Sequence, residues 1–199
     1  MSCLRRCACA VAALLAFAPG AAFGQTEPAS EWSRAGFLSV YGGGAGAASR
    51  HGFAAGAGLG WDVTRRLSLE GRGRWFDAPP EESAFAVDLV ARYAWRQAYR
   101  TAPFVSGGVG MFRAVYEAID ADTPEFYRER GRTDVFGRTR GVFRDVLLSA
   151  GGGASLFLTR HIALRPEAGL LIVTTRESAR IVPIYGVQFA YHFEPRMEP

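Results

Sequence analysis

The sequence predicts an all-β protein: an eight-stranded antiparallel up-and-down transmembrane β-barrel after a cleaved signal peptide. Three observations carry this. Beyond residue 35 the residues alternate with a period of two and no helical period survives, which is the pattern of strands with two unlike faces. One face of that alternation is small and charged, and in places almost entirely glycine. The other face is apolar and gathers Trp, Tyr and Phe near the strand ends.

The chain has 199 residues, a formal net charge of +4, 49% hydrophobic residues and 24 Gly. All 23 basic residues are Arg. Without Lys there is neither a Walker-type phosphate loop nor a Schiff-base amine. The three cysteines are Cys3, Cys7 and Cys9, so the rest of the chain has no disulfide framework, thiolate zinc site or cysteine nucleophile. Arginines are spread along the chain rather than gathered in one patch, which argues against nucleic acid as a partner.

Residues 1–24 read as the signal peptide: Arg5 and Arg6, an apolar stretch from Ala8 to Ala18, then Ala22-Phe23-Gly24 before a cut at Gln25. That apolar stretch is too short to span a bilayer core of ~30 Å. Residues 25–34 are a periplasmic lead-in, 35–193 the barrel and 194–199 a tail.

The first strand is expected over about 36–47 and the second over about 52–62, where Gly52, Ala54, Gly56, Gly58 and Gly60 share a face. The third sets Leu67, Leu69, Gly71, Gly73 and Trp75 against Ser68, Glu70, Arg72 and Arg74. In the fourth, Phe85, Val87, Leu89, Ala91, Tyr93 and Trp95 oppose Ala86, Asp88, Arg92 and Arg96. The fifth (about 103–115) alternates without showing which face is which, and the sixth covers about 146–158. The seventh sets Ile162, Leu164, Ala168, Leu170 and Ile172 against Arg165, Glu167 and Gly169. The eighth opposes Tyr185, Val187, Phe189, Tyr191 and Phe193 to Gly186, Gln188, Ala190 and His192.

The connections agree with this count. Val63-Thr64-Arg65-Arg66-Leu67 echoes Leu158-Thr159-Arg160-His161-Ile162, and each reads as a tight turn between long strands. With 96–102 they fall at one end. The Pro-containing 77–83 segment and the long 116–145 segment fall at the other, so short turns face the periplasm and longer loops the outside.

Alternation alone does not say which face points inward. Glycine weakens a strand and has no merit on a solvated surface. It suits the lumen of eight strands, which is only wide enough to be filled by side chains. Trp61, Trp75, Tyr93, Trp95, Tyr191 and Phe193 near strand ends suit an aromatic girdle, and an aromatic final strand suits recognition by a barrel-assembly machinery.

With its glycine-rich strands, its Leu59-Gly60-Trp61 to Leu67-Ser68-Leu69-Glu70 hairpin and its aromatic last strand, the chain resembles the small eight-stranded outer-membrane barrels of the OmpA/OmpX type over roughly residues 35–193. It departs from them in the tail after Phe193, since such chains often end on the aromatic itself. The resemblance implies the bacterial outer membrane, contact with its lipid and lipopolysaccharide, and a monomer. Lipid A-modifying enzymes share the fold, some with a Ser/His/acid set on the outer wall. Here His51, His161 and His192 lie in no nucleophile motif and are expected to be bystanders.

Seven charged residues are expected in the lumen: Glu70, Arg72, Arg74, Asp88, Arg92, Arg165 and Glu167. Buried charge must be paired, so the expectation is a salt-bridge plug rather than an ion path. The glycine runs 42–46 and 56–60 are followed by no helix and so are not nucleotide loops. Three scattered His make no metal site, and no cofactor is expected. Loop 116–145 carries Arg128, Arg130, Arg132, Arg138 and Arg140 among acids and aromatics; these are the surface-contact candidates, since Arg forks pair with phosphate. The expected role is therefore structural or surface-interacting and non-enzymatic. A lipid A-modifying enzyme and a soluble barrel holding a small apolar ligand are the competing readings.

Overall fold

A computed structural model of the chain describes residues 35–47, 50–77, 83–95, 101–116, 125–128, 132–133, 139–159, 161–174 and 178–193. The expected signal peptide, the lead-in and the tail after Phe193 lie outside the described residues. Nine strands and one short helix occur among them: β1 (Ala35–Ala47), β2 (Arg50–Asp62), β3 (Leu67–Asp77), β4 (Ser83–Ala94), β5 (Thr101–Tyr116), α1 (Glu125–Arg128), β6 (Arg132–Thr133), β7 (Thr139–Phe157), β8 (Ile162–Thr174) and β9 (Ala179–His192).

Eight of these strands make the wall. Each pairs antiparallel with its sequence neighbour, β5 pairs with β7, and β9 returns to β1, which closes the sheet. Two-residue β6 pairs only with the start of β7 and stands outside the ring. Closure removes every sheet edge, so backbone N–H and C=O groups are satisfied within the wall, as hydrocarbon requires.

The two echoing segments make the same turn for the same reason. The Thr64 hydroxyl oxygen accepts from the Arg66 and Leu67 amides at 3.2 and 3.0 Å. That of Thr159 accepts from His161 and Ile162 at 3.3 and 3.1 Å. A short polar side chain thus satisfies the amides freed as the strand reverses.

The outer wall is apolar. Leu59 is 67% exposed and Met111 58%, with Leu38, Val40, Val87, Leu89, Val109, Leu148, Val187 and Phe189 around them. Trp61, Tyr93, Trp95, Tyr191 and Phe193 ring the end with the Thr turns, here called the turn end; Phe53, Trp75, Phe85 and Tyr185 ring the opposite, loop end. A belt of this kind between aromatic rings is a lipid-facing surface. It excludes the soluble-barrel alternative, which would turn these side chains inward. β5 also resolves: Ala102, Phe104, Phe112, Ala114 and Tyr116 are buried, while Val105, Val109 and Met111 face out.

The structure corrects the expected sixth strand and the loop before it. β7 begins at Thr139 rather than near 146, and β5 and β7 stay paired up to Tyr116 opposite Gly141. The 116–145 segment also contains α1, whose Tyr127 is fully buried. Its ring lies 5.1 Å from that of Tyr116 and 4.8 Å from that of Phe143, centroid to centroid. Arg180 on β9 stacks over it at 5.4 Å. α1 thus packs onto the loop-end extensions of β5 and β7 and the start of β9.

Candidate functional site: a charged lumen closed at the loop end

Side chains at alternate positions of β3, β4, β8 and β9 point inward. In an eight-stranded barrel they meet across the axis, because the lumen is only wide enough to be filled by side chains. Asp88 on β4 is the hub. One of its carboxylate oxygens accepts from Arg72 at 3.0 Å, Arg74 at 2.7 Å and the Ser149 hydroxyl at 3.0 Å. Arg72 also reaches across the lumen to Glu167 on β8 at 3.4 Å. Nearer the turn end, Glu70 accepts from Arg92 at 2.9 Å, the Gln188 amide at 2.6 Å and the Ser39 hydroxyl at 2.5 Å. Arg92 and Arg165 each donate to the Gln188 carbonyl oxygen, at 3.0 and 3.5 Å.

All seven expected lumen residues are therefore placed in one cluster. Six are almost wholly buried and Glu167 nearly so, its side chain 7% exposed. Two of the guanidinium faces are covered by rings: Arg92 lies 4.8 Å from the centroid of Phe104, and Arg165 4.8 Å from that of Phe37. A cavity of about 10 Å³ remains beside Arg72, Arg74 and Glu167, the room of a single water.

Sequence reasoning missed the turn-end extension of this cluster. His192, expected to be a bystander, is buried. Its Nδ1 lies 2.9 Å from Asp62 and its Nε2 2.9 Å from an Arg165 guanidinium nitrogen. Arginine only donates, so Nε2 is the acceptor and Nδ1 carries the proton given to Asp62. An Asp–His pair of this kind invites a catalytic reading, but the lone pair a nucleophile would need is already taken by Arg165. His161 likewise donates from Nδ1 to the His192 carbonyl oxygen at 3.1 Å and stacks on Tyr191. Two signals were available: the alternation that puts His192 on the inner face of the last strand, and the placement of Asp62 and His192 each at the last residue of a strand.

Glycine on the inner face makes room for the charges. A Cβ on Gly58 would stand 2.8 Å from a Glu70 carboxylate oxygen and 2.9 Å from the Ser39 hydroxyl. One on Gly60 would enter the ring of Phe37.

The surface-contact candidates fall only partly among the described residues. Arg128 sits on α1, exposed, 4.0 Å from Glu125. Arg132 and Arg140 are opposite one another in the β6–β7 pairing. Arg130 and Arg138 lie outside the described residues. Among the described residues no group of three or more His, Cys, Asp or Glu could hold a metal.

No family model and no curated protein matches the chain in sequence. Solved structures do match in fold. The N-terminal β-barrel domain of OprF from Pseudomonas aeruginosa aligns with a TM-score of 0.56 at 12% identity, over 79% of this chain and 97% of that one. Neisserial surface protein A aligns with a TM-score of 0.58 at 11% identity, over 80% and 96%. Ail, the attachment invasion locus protein of Yersinia pestis, aligns at 0.51 and 11% identity, over 81% and 100%. At these identities the likeness is one of fold, and that fold is the small outer-membrane barrel.

Proposed function

We propose that this chain is a non-enzymatic barrel of the bacterial outer membrane, with a structural or cell-surface interaction role and a lumen that does not conduct. The observation that carries the reading is the cross-lumen cluster centred on Asp88 and Glu70, bounded at the loop end by Tyr127, Tyr116 and Phe143. Charges held at 2.7–3.4 Å from their partners leave no continuous aqueous path. Nothing described at the turn-end mouth presents an unoccupied nucleophile–base pair. The working surface is then the outer wall and the loop end, in contact with membrane lipid, lipopolysaccharide and whatever meets the cell. The turn end faces the periplasm, and a barrel-assembly machinery inserts the chain through its aromatic final strand. Arg128, Arg130, Arg132, Arg138 and Arg140 are proposed to make surface contacts with anionic groups.

Planar-bilayer recording tests the closed lumen. Purified protein folded into the bilayer is expected to give no steady, reproducible unitary current. A stable porin-like conductance in independent preparations would overturn the closed lumen and favour a channel.

A further inference from the structure

On the outer wall near the loop end the sheet places two arginines side by side. Trp75 on β3 is the register partner of Phe85 on β4, Phe85 of Arg113 on β5, and Arg113 of Arg144 on β7. Register partners point to the same face of a sheet, and all four side chains are exposed. Two like charges directly across a strand pair repel, and neither arginine makes an ion pair with a described residue. Asp145, next to Arg144 in sequence, cannot neutralise the pair on this face, because it is buried on the inner one.

The surroundings decide what would. One outward step towards mid-membrane lie Met111 and Val146, register partners that are 58% and 53% exposed. One step towards the rim is Val142, also exposed. Trp75 and Phe85 continue the same row as part of the loop-end aromatic ring. The pair is thus two forks at headgroup level with no ion-pair partner among the described residues, standing on an apolar floor. A free anion would match only the forks; a phosphorylated amphiphile matches both halves, its phosphate bridging the guanidinium groups and its chains lying on Met111 and Val146.

We propose that Arg113 and Arg144 form a docking site for the phosphorylated headgroup of a membrane lipid in the loop-end leaflet. The site rests on the membrane placement proposed above, and it is distinct from the surface-contact arginines of the 116–145 segment.

The test uses the full mature barrel folded in detergent, with native mass spectrometry reading binding of bisphosphorylated lipid A against its dephosphorylated form. Both substitutions, Arg113→Gln and Arg144→Gln, are on the outer wall away from the lumen cluster, and a heated-versus-unheated gel shift checks folding separately. The expected result is preferential binding of the phosphorylated lipid, weakened about tenfold or more in the double variant, the scale of losing one charge-assisted hydrogen bond. Inorganic phosphate at matched ionic strength should fail to displace the lipid. Equal binding of both lipids, wild-type binding by the double variant, or full displacement by inorganic phosphate would each overturn the site. Failure of the wild-type chain to give a heat-modifiable barrel would instead overturn the membrane placement.

Discussion

Asp88 shows how much one side chain carries. Arg72, Arg74 and Ser149 all donate to the same oxygen, and both arginines are buried. Removing one partner of a buried pair costs more than the pair contributes, since the remaining charge is stranded. Asp88→Asn is therefore expected to lower unfolding stability by about 3–5 kcal/mol, measured by urea titration of vesicle-folded protein. Leu89, next to Asp88 in the chain, points to the opposite face at mid-strand and is 58% exposed towards lipid. Leu89→Arg is expected to cost about 2–4 kcal/mol, from transfer of a cation into hydrocarbon alone. The two losses differ in origin. Two further substitutions that also remove the charges of Arg72 and Arg74 should restore part of the first loss and none of the second. An Asp88→Asn barrel as stable as wild type would show that the cluster is solvated after all. The seven lumen charges were legible in the sequence because a charge on one side of an apolar alternation has nowhere else to point. Gln188 was legible in its facing but not as a partner of the charges, and Ser39 and Ser149 were not legible at all, since small uncharged residues give no contrast against Gly and Ala. His192 was legible as an inner-face residue of the last strand, but its partner Asp62 was not, since at a strand's last position sequence does not separate a lumen residue from a turn residue.

At the scale of elements, strands with strong contrast, such as β3 and β4, could be read residue by residue. β5 could not, because Ser106, Gly107, Gly108 and Gly110 blur the two faces. Helix α1 was illegible for a different reason: four residues show no helical period, and only tertiary packing holds so short a helix. That packing makes a prediction. Tyr127→Ala removes a buried ring from the Tyr116–Phe143 pair and is expected to cost about 3 kcal/mol. Excising residues 118–138 should cost a similar amount yet leave the gel-shifting barrel intact, because the eight wall strands do not include them. Carrying the excision to Phe143 would remove Gly141, Val142 and Phe143, which pair with Tyr116, Val115 and Ala114 of β5, and unfolding should then be markedly easier. If both excisions behave alike, the β7 extension contributes nothing to the wall.

For the whole molecule, the asymmetry between ends fixes an orientation that can be checked on cells. With the turn end inside, protease added to intact cells should cut within 117–138 and leave the closed wall protected. Cleavage there only after the periplasm is opened would invert the topology. The closed wall has a further consequence, one of timing. Its final seam joins Phe37–Ala45 to Ile184–His192, the first and last strands of the ring. Until β9 is available, β1 and β8 each present an unpaired edge, and unpaired edges in an apolar sheet invite pairing with other chains. Non-local seams of this kind also form slowly, since the intervening chain must be ordered first. A molecule interrupted before Ala179 is then not a slightly shorter barrel but an open sheet with two reactive margins. The cell would meet it as a substrate for envelope chaperones and proteases, so that the same registry that makes the finished protein inert makes its unfinished form conspicuous.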